Sequence, residues 1–128
     1  MKENKLKVII NKPANEIFTF TLNPKNTPLW IEAITKEEVN ESPTKLGTIY
    51  RNANKKNDWS QYSVTSFEKN KLFVFTSENN NYHCKYTLRP IDRNITELEY
   101  YEWVDKGRLN DPFTLKILEK LKTVLEKF

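Results

Sequence analysis

The sequence has 128 residues, of which 38% are hydrophobic, 12% aromatic and 30% charged. This length and composition exclude a disordered or low-complexity chain and predict a single domain over residues 1–128 with one core. The net charge of +4 comes from 21 basic and 17 acidic residues that are scattered along the chain, so no basic stripe indicates a nucleic-acid partner.

The N-terminus and the cysteine usage predict a cytoplasmic protein. Cys84 is the only cysteine, so no internal disulfide can form, and residues 1–5 lack the apolar stretch of a secretory signal. No apolar run approaches the ~20 residues that cross a bilayer, so we expect no stable membrane association. The oligomeric state, monomer or homodimer, is left open.

The first third of the chain predicts one strand and two short helices. Apolar residues alternate with mostly charged ones in Lys5–Asn11, which is typical of a half-buried strand. Apolar residues then recur at helical spacing from Ala14 to Thr21, which predicts a helix that ends near Pro24. A second short helix is predicted over Pro28–Ala33.

From Ile34 onward, short runs of β-branched and aromatic residues are separated by turns rich in asparagine and aspartate. Those turn residues tolerate the left-handed backbone that tight hairpins need, and no strand is followed by a crossover helix. An antiparallel meander is therefore expected. Its predicted strands are Ile34–Asn40, Thr48–Ala53, Trp59–Phe67, Leu72–Ser77, Tyr82–Arg89 and Thr96–Val104.

The C-terminal segment predicts a long helix that begins at Pro112. Asp111 is suited to accept hydrogen bonds from the free N–H groups of a first turn, and Pro112 suits the first helical position. A helix from there to Phe128 is about 25 Å long at ~1.5 Å per residue and must lie across the sheet. One apolar stripe is formed by Phe113, Ile117, Leu121, Val124, Leu125 and Phe128.

This order of elements resembles the helix-grip fold of the START and Bet v 1-like (SRPBCC) superfamily, especially its polyketide cyclase/dehydrase and lipid-transport branch. The residues that carry the resemblance are 13–18 at the first helix entry, 23–24 with 28–30, the Leu46-Gly47-Thr48 turn, and 118–126 in the closing helix. The resemblance implies an α+β fold in which a curved antiparallel sheet of about seven strands wraps around the C-terminal helix, with two short helices after the first strand. It also implies a deep pocket, used in different members for lipid or hormone carriage, for cyclisation of aromatic rings, or for binding another protein.

Side-chain alternation predicts which residues face that pocket. On Tyr82–Arg89 the set containing Cys84 faces inward, and on Thr96–Val104 the two outward carboxylates leave the set containing Leu98 inward. The inward faces of 59–67 and 72–77 are left open. The predicted ligand-binding cavity is lined by Trp30, Tyr50, Tyr62, Tyr82, Tyr86, Tyr100, Glu102, Phe113 and Ile117.

Glu102 is the candidate catalytic residue, because an inward carboxylate in apolar surroundings has a raised pKa that suits a general acid or base. Tyr86 and Tyr100 would then polarise a substrate carbonyl. The alternative is a structural Glu102 near the strand end, wetted by solvent or paired with Arg51 or Lys106. No catalytic residue is assigned on this evidence.

Metal and cofactor sites are not predicted. His83 and Cys84 are neighbours on a strand and project to opposite faces, which excludes a thiolate–imidazole pair. A single histidine and a single cysteine form no metal-ligand cluster, and Gly47 and Gly107 are too few for a phosphate-binding loop.

Three functions remain open from the sequence. The first is a carrier or sensor that binds a small hydrophobic or amphipathic molecule, such as a lipid, a polyketide-like or an aromatic compound. The second is a cyclase, dehydratase or hydrolase-type enzyme that uses an inward glutamate and tyrosine. The third is a protein-interaction module resembling co-chaperone relatives, with outward Tyr101 and Trp103 as part of the surface.

Overall fold

A computed structural model describes residues 1–127 and contains, within them, seven strands and three helices. The elements in chain order are β1 (Glu3–Ile10), α1 (Ala14–Leu22), α2 (Thr27–Trp30), β2 (Lys36–Val39), β3 (Ile49–Ala53), β4 (Trp59–Glu68), β5 (Leu72–Ser77), β6 (Tyr82–Asp92), β7 (Ile95–Val104) and α3 (Leu115–Leu125).

The strands form one antiparallel sheet in the order β1-β7-β6-β5-β4-β3-β2. Successive strands from β2 to β7 pair as hairpins, and β1 joins the sheet beside β7. The core lies between the concave face of this sheet and helices α1 and α3, and it includes Ile17, Leu98 and Leu121. The predicted helix-grip architecture, with its curved antiparallel sheet and C-terminal helix, is confirmed.

Three of the predicted hairpin turns use asparagine in the left-handed conformation. Asn57, Asn70 and Asn80 have φ angles of 64°, 62° and 62°. Most residues with a Cβ avoid this region, but asparagine tolerates it because its short polar side chain can bond locally. The asparagine-rich connections therefore do set the hairpins of β3–β4, β4–β5 and β5–β6.

A β-bulge decides which side chains of β4 face the core. Tyr62 and Val64 lie on the concave side, and the register between β4 and β5 then shifts between Val64 and Ser66. The extra residue reverses the alternation, so Phe67 packs against the core where a regular strand would place Ser66. On β5 the core-facing rings are Phe73 and Phe75.

The predicted start of the C-terminal helix is wrong by three residues. Asp111 does not cap a helix, since its φ of 51° is left-handed, and the helix begins only at Leu115 after an extended Thr114. The residues between them form irregular chain. The N–H of Phe113 donates to the Glu102 carboxylate on β7 and so does not take part in a helical turn.

The buried stripe of α3 also differs from the prediction. Leu118, which was not assigned to the stripe, is fully buried with Leu121 and Leu125, whereas Val124 is half-buried. Phe128, predicted to end the stripe, lies outside the described residues. The most deeply buried residues of α3 are thus Leu118, Leu121 and Leu125, with Ile117 and Val124 partly buried beside them against the core.

The second short helix is also shorter than predicted. It spans Thr27–Trp30 because Ile31, whose N–H still bonds to the carbonyl of Thr27, adopts an extended backbone with φ −105° and ψ 95°. Trp30, the last residue of this helix, and Ile31, which follows it, are both buried. Strand β2 is correspondingly confined to Lys36–Val39.

Candidate functional site

An aromatic cavity lies between the concave face of the sheet, helix α2 and the segment that precedes α3. We call it the inner cavity; its volume is about 90 Å³. Of the nine residues predicted to line a ligand cavity, seven do so, namely Trp30, Tyr50, Tyr62, Tyr82, Tyr86, Tyr100 and Phe113. The remaining lining residues are Thr21, Thr27, Ile31, Ile34, Glu37, Asn52, Phe75 and Cys84.

Strand alternation brings these rings together. On β6, Cys84, Tyr86 and Leu88 are buried while Arg89 is exposed, and on β7 Tyr100 is 1% exposed, which confirms the inward sets predicted for both strands. Tyr86 stacks on Phe73 of the neighbouring strand, with 4.6 Å between ring centroids. Because these strands pair directly, the inward rings of adjacent strands form one continuous wall.

The tyrosines and the cysteine of this wall are held in their neutral forms. Burial raises the pKa of Tyr50 to about 12, and it raises the pKa of Tyr86 and Tyr100 well above the usual value. Burial likewise raises the pKa of the Cys84 thiol to about 12. These groups therefore offer hydroxyl and thiol hydrogens and apolar surface, and they carry no charge near neutral pH.

Glu102 does not line the inner cavity. It is 2% exposed, and its two oxygens accept four hydrogen bonds. Oε1 accepts from the hydroxyls of Tyr82 at 2.7 Å and Tyr100 at 3.3 Å, and Oε2 accepts from Asn4 Nδ2 at 2.8 Å and the Phe113 N–H at 2.7 Å.

The predicted alternative for Glu102, exposure to solvent or pairing with Arg51 or Lys106, is therefore wrong. Arg51 lies on the outer face of β3, where it bonds to Glu38. The strand end is instead covered by the chain around Phe113, which is why Glu102 is dry. A carboxylate has about four lone-pair sites, and all of those on Glu102 are occupied by donors that join β1, β6, β7 and the approach to α3. This arrangement favours a structural role over acid–base chemistry.

Ile117 also lies outside the inner cavity, on the side of α3 where it is half-buried at the edge of the core. There it lines an open groove, which we call the outer groove, between α3, the α2–β2 connection and the β3–β4 turn. Three side chains line both spaces, namely Trp30, Ile31 and Phe113. The rings of Trp30 and Phe113 meet edge to face at 6.0 Å, and Phe113 stacks on Tyr100 at 4.3 Å. They form the partition between the inner cavity and the outer groove.

Glu37 on β2 is the only carboxylic acid among the eight described lining residues that were not predicted from the sequence. Its Oε1 accepts a hydrogen bond from Thr27 Oγ1 at 2.6 Å, and its Oε2 accepts one from Asn52 Nδ2 at 3.2 Å. Burial raises the pKa of this carboxyl, and the two hydrogen bonds lower it by less. A signal did exist, because Val39 packs against the core and a residue two positions earlier on a strand shares its face.

Trp30 has a buried polar atom without a hydrogen-bond partner. The side chain is 2% exposed, and its indole Nε1–H donates to no atom of the described residues. A buried donor of this kind is unusual, since most buried polar atoms have a hydrogen-bond partner. The inner cavity thus combines an apolar wall with a small number of polar groups.

His83 lies on the opposite face of the sheet from Cys84, as predicted. Its Nε2 is 2.9 Å from Asp105 Oδ2, its Nδ1 is 2.9 Å from Thr76 Oγ1, and its ring stacks on Trp103. Within residues 1–127, no three histidine, cysteine or acidic side chains are grouped closely enough to hold a metal ion. No helix in that range is long and apolar enough to span a membrane.

The model of one protein family, described as domain of unknown function DUF3284, matches residues 4–122. No curated protein matches the sequence.

Solved structures share the fold at low sequence identity. A START superfamily protein from Mycobacterium smegmatis aligns with a TM-score of 0.77 and 14% identity over 99% of both chains. The Aha1 dimer from Colwellia psychrerythraea aligns with a TM-score of 0.68 and 13% identity over 98% of this chain and 97% of that one. The di-domain ARO/CYC BexL from the BE-7585A biosynthetic pathway aligns with a TM-score of 0.65 and 12% identity over 81% of this chain and 36% of that one. The START-type fold inferred from the resemblance is confirmed by these similarities.

Proposed function

The chain belongs to the DUF3284 family, and we propose that it binds one small amphipathic molecule in the inner cavity, as a carrier or sensor. The observation that carries this proposal is the cavity itself, a space inside a START-type fold that eight aromatic side chains line together with a few polar groups. Small-molecule sites commonly have this composition, with aromatic walls for affinity and a few polar atoms for orientation.

The volume of the inner cavity limits what can occupy it. About 90 Å³ is several times the space needed for one water, roughly 10–15 Å³, yet well below the ~300–1,000 Å³ of a drug-sized pocket. The cavity therefore suits a molecule of a few heavy atoms, or the end group of a larger one. The body of a larger ligand would extend past Trp30 and Phe113 into the outer groove.

The polar groups of the wall favour an amphipathic occupant over a purely apolar one. Glu37 supplies an acceptor whose capacity is not exhausted by its hydrogen bonds from Thr27 and Asn52. A ligand without a donor group would leave this remaining capacity of Glu37 unused in a largely apolar space, which costs free energy. The fold similarity to a START superfamily protein and to an ARO/CYC protein supports ligand binding in general terms.

The proposal is tested by filling the cavity. Ile34 lines it and is only partly buried, so Ile34→Trp adds a ring to the cavity at modest cost to the core. The matched control is Ile91→Trp, because Ile91 is 58% exposed on β6, outside the cavity lining. Binding is measured by ¹⁹F NMR with 4-fluorobenzyl alcohol, and molecules retained through purification are identified by native mass spectrometry.

We expect a one-to-one complex for the native protein, at least ~10-fold weaker binding for Ile34→Trp, and no change for Ile91→Trp. Circular dichroism establishes that both variants are folded. Equal losses of probe affinity in the two variants would contradict the proposal. So would a native protein that retains no molecule through purification and does not bind the probe.

A further inference from the structure

The inner cavity is acidic in composition, although the protein as a whole is basic. The chain carries a net charge of +4 with 21 lysines and arginines, yet none of the described lining residues is lysine, arginine or histidine. The only carboxyl group among the described lining residues is that of Glu37. A second carboxylate, Glu102, lies directly behind the wall, bonded to the hydroxyls of Tyr82 and Tyr100.

Glu37 retains unused capacity to accept hydrogen bonds. Thr27 and Asn52 occupy two of its approximately four lone-pair sites, and neither donor is charged. No described lysine, arginine or histidine forms an ion pair with it. The basic residue closest in register, Arg51, bonds to Glu38 at 2.9 Å on the other face of the sheet. Glu37 is thus a largely desolvated carboxylate that faces a cavity without a counter-charge.

The aromatic wall adds to this negative character. The faces of aromatic rings carry negative partial charge and attract cations, and groups of tyrosine and tryptophan rings are a known means of binding ammonium groups. The lining rings are Trp30, Tyr50, Tyr62, Phe75, Tyr82, Tyr86, Tyr100 and Phe113. Since the tyrosines remain neutral, their rings attract a cation without an opposing charge of their own.

Building on the proposed function, we propose that the ligand is a small organic cation, an alkylammonium whose charged group lies against Glu37 and the tyrosine rings. A cation of this class supplies the counter-charge that Glu37 lacks, and its alkyl groups contact the aromatic wall. An anion would meet two carboxylates and no base, and a neutral molecule would leave Glu37 uncompensated.

Protonation of Glu37 competes with such a ligand. Around it, Tyr50 on β3, Tyr62 on β4, and Tyr86 and Cys84 on β6 are uncharged, and α2 contributes only Thr27. The charged neighbours Lys36, Glu38 and Arg51 are on the outer face, where they are exposed. Affinity for a cation therefore falls as the pH is lowered through the pKa of Glu37, which burial raises.

The test uses two probes of the same shape. Choline carries a trimethylammonium group, and 3,3-dimethylbutan-1-ol is its neutral carbon isostere, so the pair differs in charge and not in size. Affinities of the full chain are measured by NMR titration at pH 7.5 and pH 5. We expect choline to bind at least ~10-fold more tightly than the alcohol at pH 7.5, with a smaller ratio at pH 5.

Two variants locate the charge. Glu37→Gln should weaken choline binding at least ~10-fold, change the affinity for the alcohol much less, and remove the pH dependence of choline binding. Glu38→Gln makes the same change of charge one residue away on the outer face. This variant should bind choline and the alcohol as the native protein does and should keep the native pH dependence.

The outcomes separate this inference from the proposed function. If the alcohol binds as tightly as choline and Ile34→Trp blocks both, the cavity binds ligands but not by charge, and the cation inference is overturned alone. Equal losses of choline affinity in Glu37→Gln and Glu38→Gln would overturn it too. They would show that choline responds only to the overall charge of the protein and not to a carboxylate in the cavity. If neither probe binds the native protein, the cation inference falls, and the retained-molecule and ¹⁹F measurements still decide whether the cavity is used.

Discussion

The two inward carboxylates of this protein are chemically identical groups in contrasting environments. Glu102, at the β1–β7 side of the sheet, receives four hydrogen bonds and is separated from the cavity by the tyrosines that it binds. Glu37, at the β2–β3 side, receives two and lines the cavity. The comparison shows that burial by itself does not identify a functional carboxylate. What distinguishes Glu37 is hydrogen-bonding capacity that the protein leaves unused.

The largest effect is expected from removing the segment that Glu102 holds in place. Truncation after Gly107 deletes Phe113 together with Leu118, Leu121 and Leu125, which are almost fully buried. Each such leucine is worth about 2–5 kcal/mol when truncated to alanine, so the sum approaches the ~5–15 kcal/mol that stabilises a whole domain. We expect cooperative thermal unfolding, followed by calorimetry, to disappear.

The control for the truncation is Leu115→Ala, because Leu115 is on the same helix but 46% exposed. Its melting temperature should stay close to that of the native protein. A truncated chain that still melted cooperatively near the native temperature would contradict the architecture, since the sheet would then be stable without α3.

The next largest effect is expected at Glu102 itself. Glu102→Leu leaves three donor hydrogens without an acceptor in a dry region, since the hydroxyls of Tyr82 and Tyr100 are 3.1 Å apart and one can still donate to the other. Each buried unsatisfied group costs about 1–3 kcal/mol, so we expect the free energy of unfolding in urea to fall by at least ~3 kcal/mol. Glu102→Gln should lower the free energy of unfolding by less. Its amide oxygen can still accept hydrogen bonds from Asn4 and Phe113, and the hydroxyls of Tyr82 and Tyr100 can rotate to accept from its NH₂ group.

Glu97→Gln is the matched control for that pair. Glu97 lies on the outer face of the same strand and bonds only to Arg89, at 3.4 Å, in a partly exposed ion pair. Such pairs contribute about 0–1 kcal/mol. If Glu102→Leu lowered the free energy of unfolding no more than Glu97→Gln does, the interpretation of Glu102 as a structural residue would be wrong.

The smallest effect on stability is expected at Glu37, and it depends on pH. The pKa of Glu37 is raised in the folded protein, mainly by burial. A carboxyl with a raised folded-state pKa favours the folded state when it is protonated, at low pH, and this contribution is lost as the pH rises through the folded pKa. The free energy of unfolding of Glu37→Gln should therefore be equal to or higher than that of the native protein at pH 7. Near pH 4, where the native carboxyl is protonated more often, this difference should disappear.

Urea unfolding at both pH values measures this difference, with Glu38→Gln as the control that should show no such pH dependence. A Glu37→Gln variant as destabilised as Glu102→Leu at pH 7 would mean that both carboxylates are structural. The contrast between the two sides of the sheet would then be lost.

The face of each strand was predictable where the sequence alternates regularly. On β6 and β7, apolar and charged residues alternate, and the side chains of an extended strand project to opposite faces in turn, so Tyr86 and Tyr100 could be placed inward. On β4 the same rule fails after Val64, because a bulge inserts one residue and reverses the alternation. The start of α3 was misjudged because Asp111 and Pro112 are typical of a helix N-terminus, whereas the hydrogen bond from Phe113 to Glu102 holds that segment out of the helix.

The sequence by itself determined the order of elements, the antiparallel meander with its asparagine turns, and seven of the nine residues predicted to line the cavity. These follow from local rules of periodicity and turn conformation, which act over a few residues. Only the tertiary structure decided the hydrogen-bonding environments of the two carboxylates. The partners of Glu102 include Asn4, 98 positions away, and those of Glu37 come from α2 and β3. Hydrogen-bond saturation depends on groups that only folding brings together.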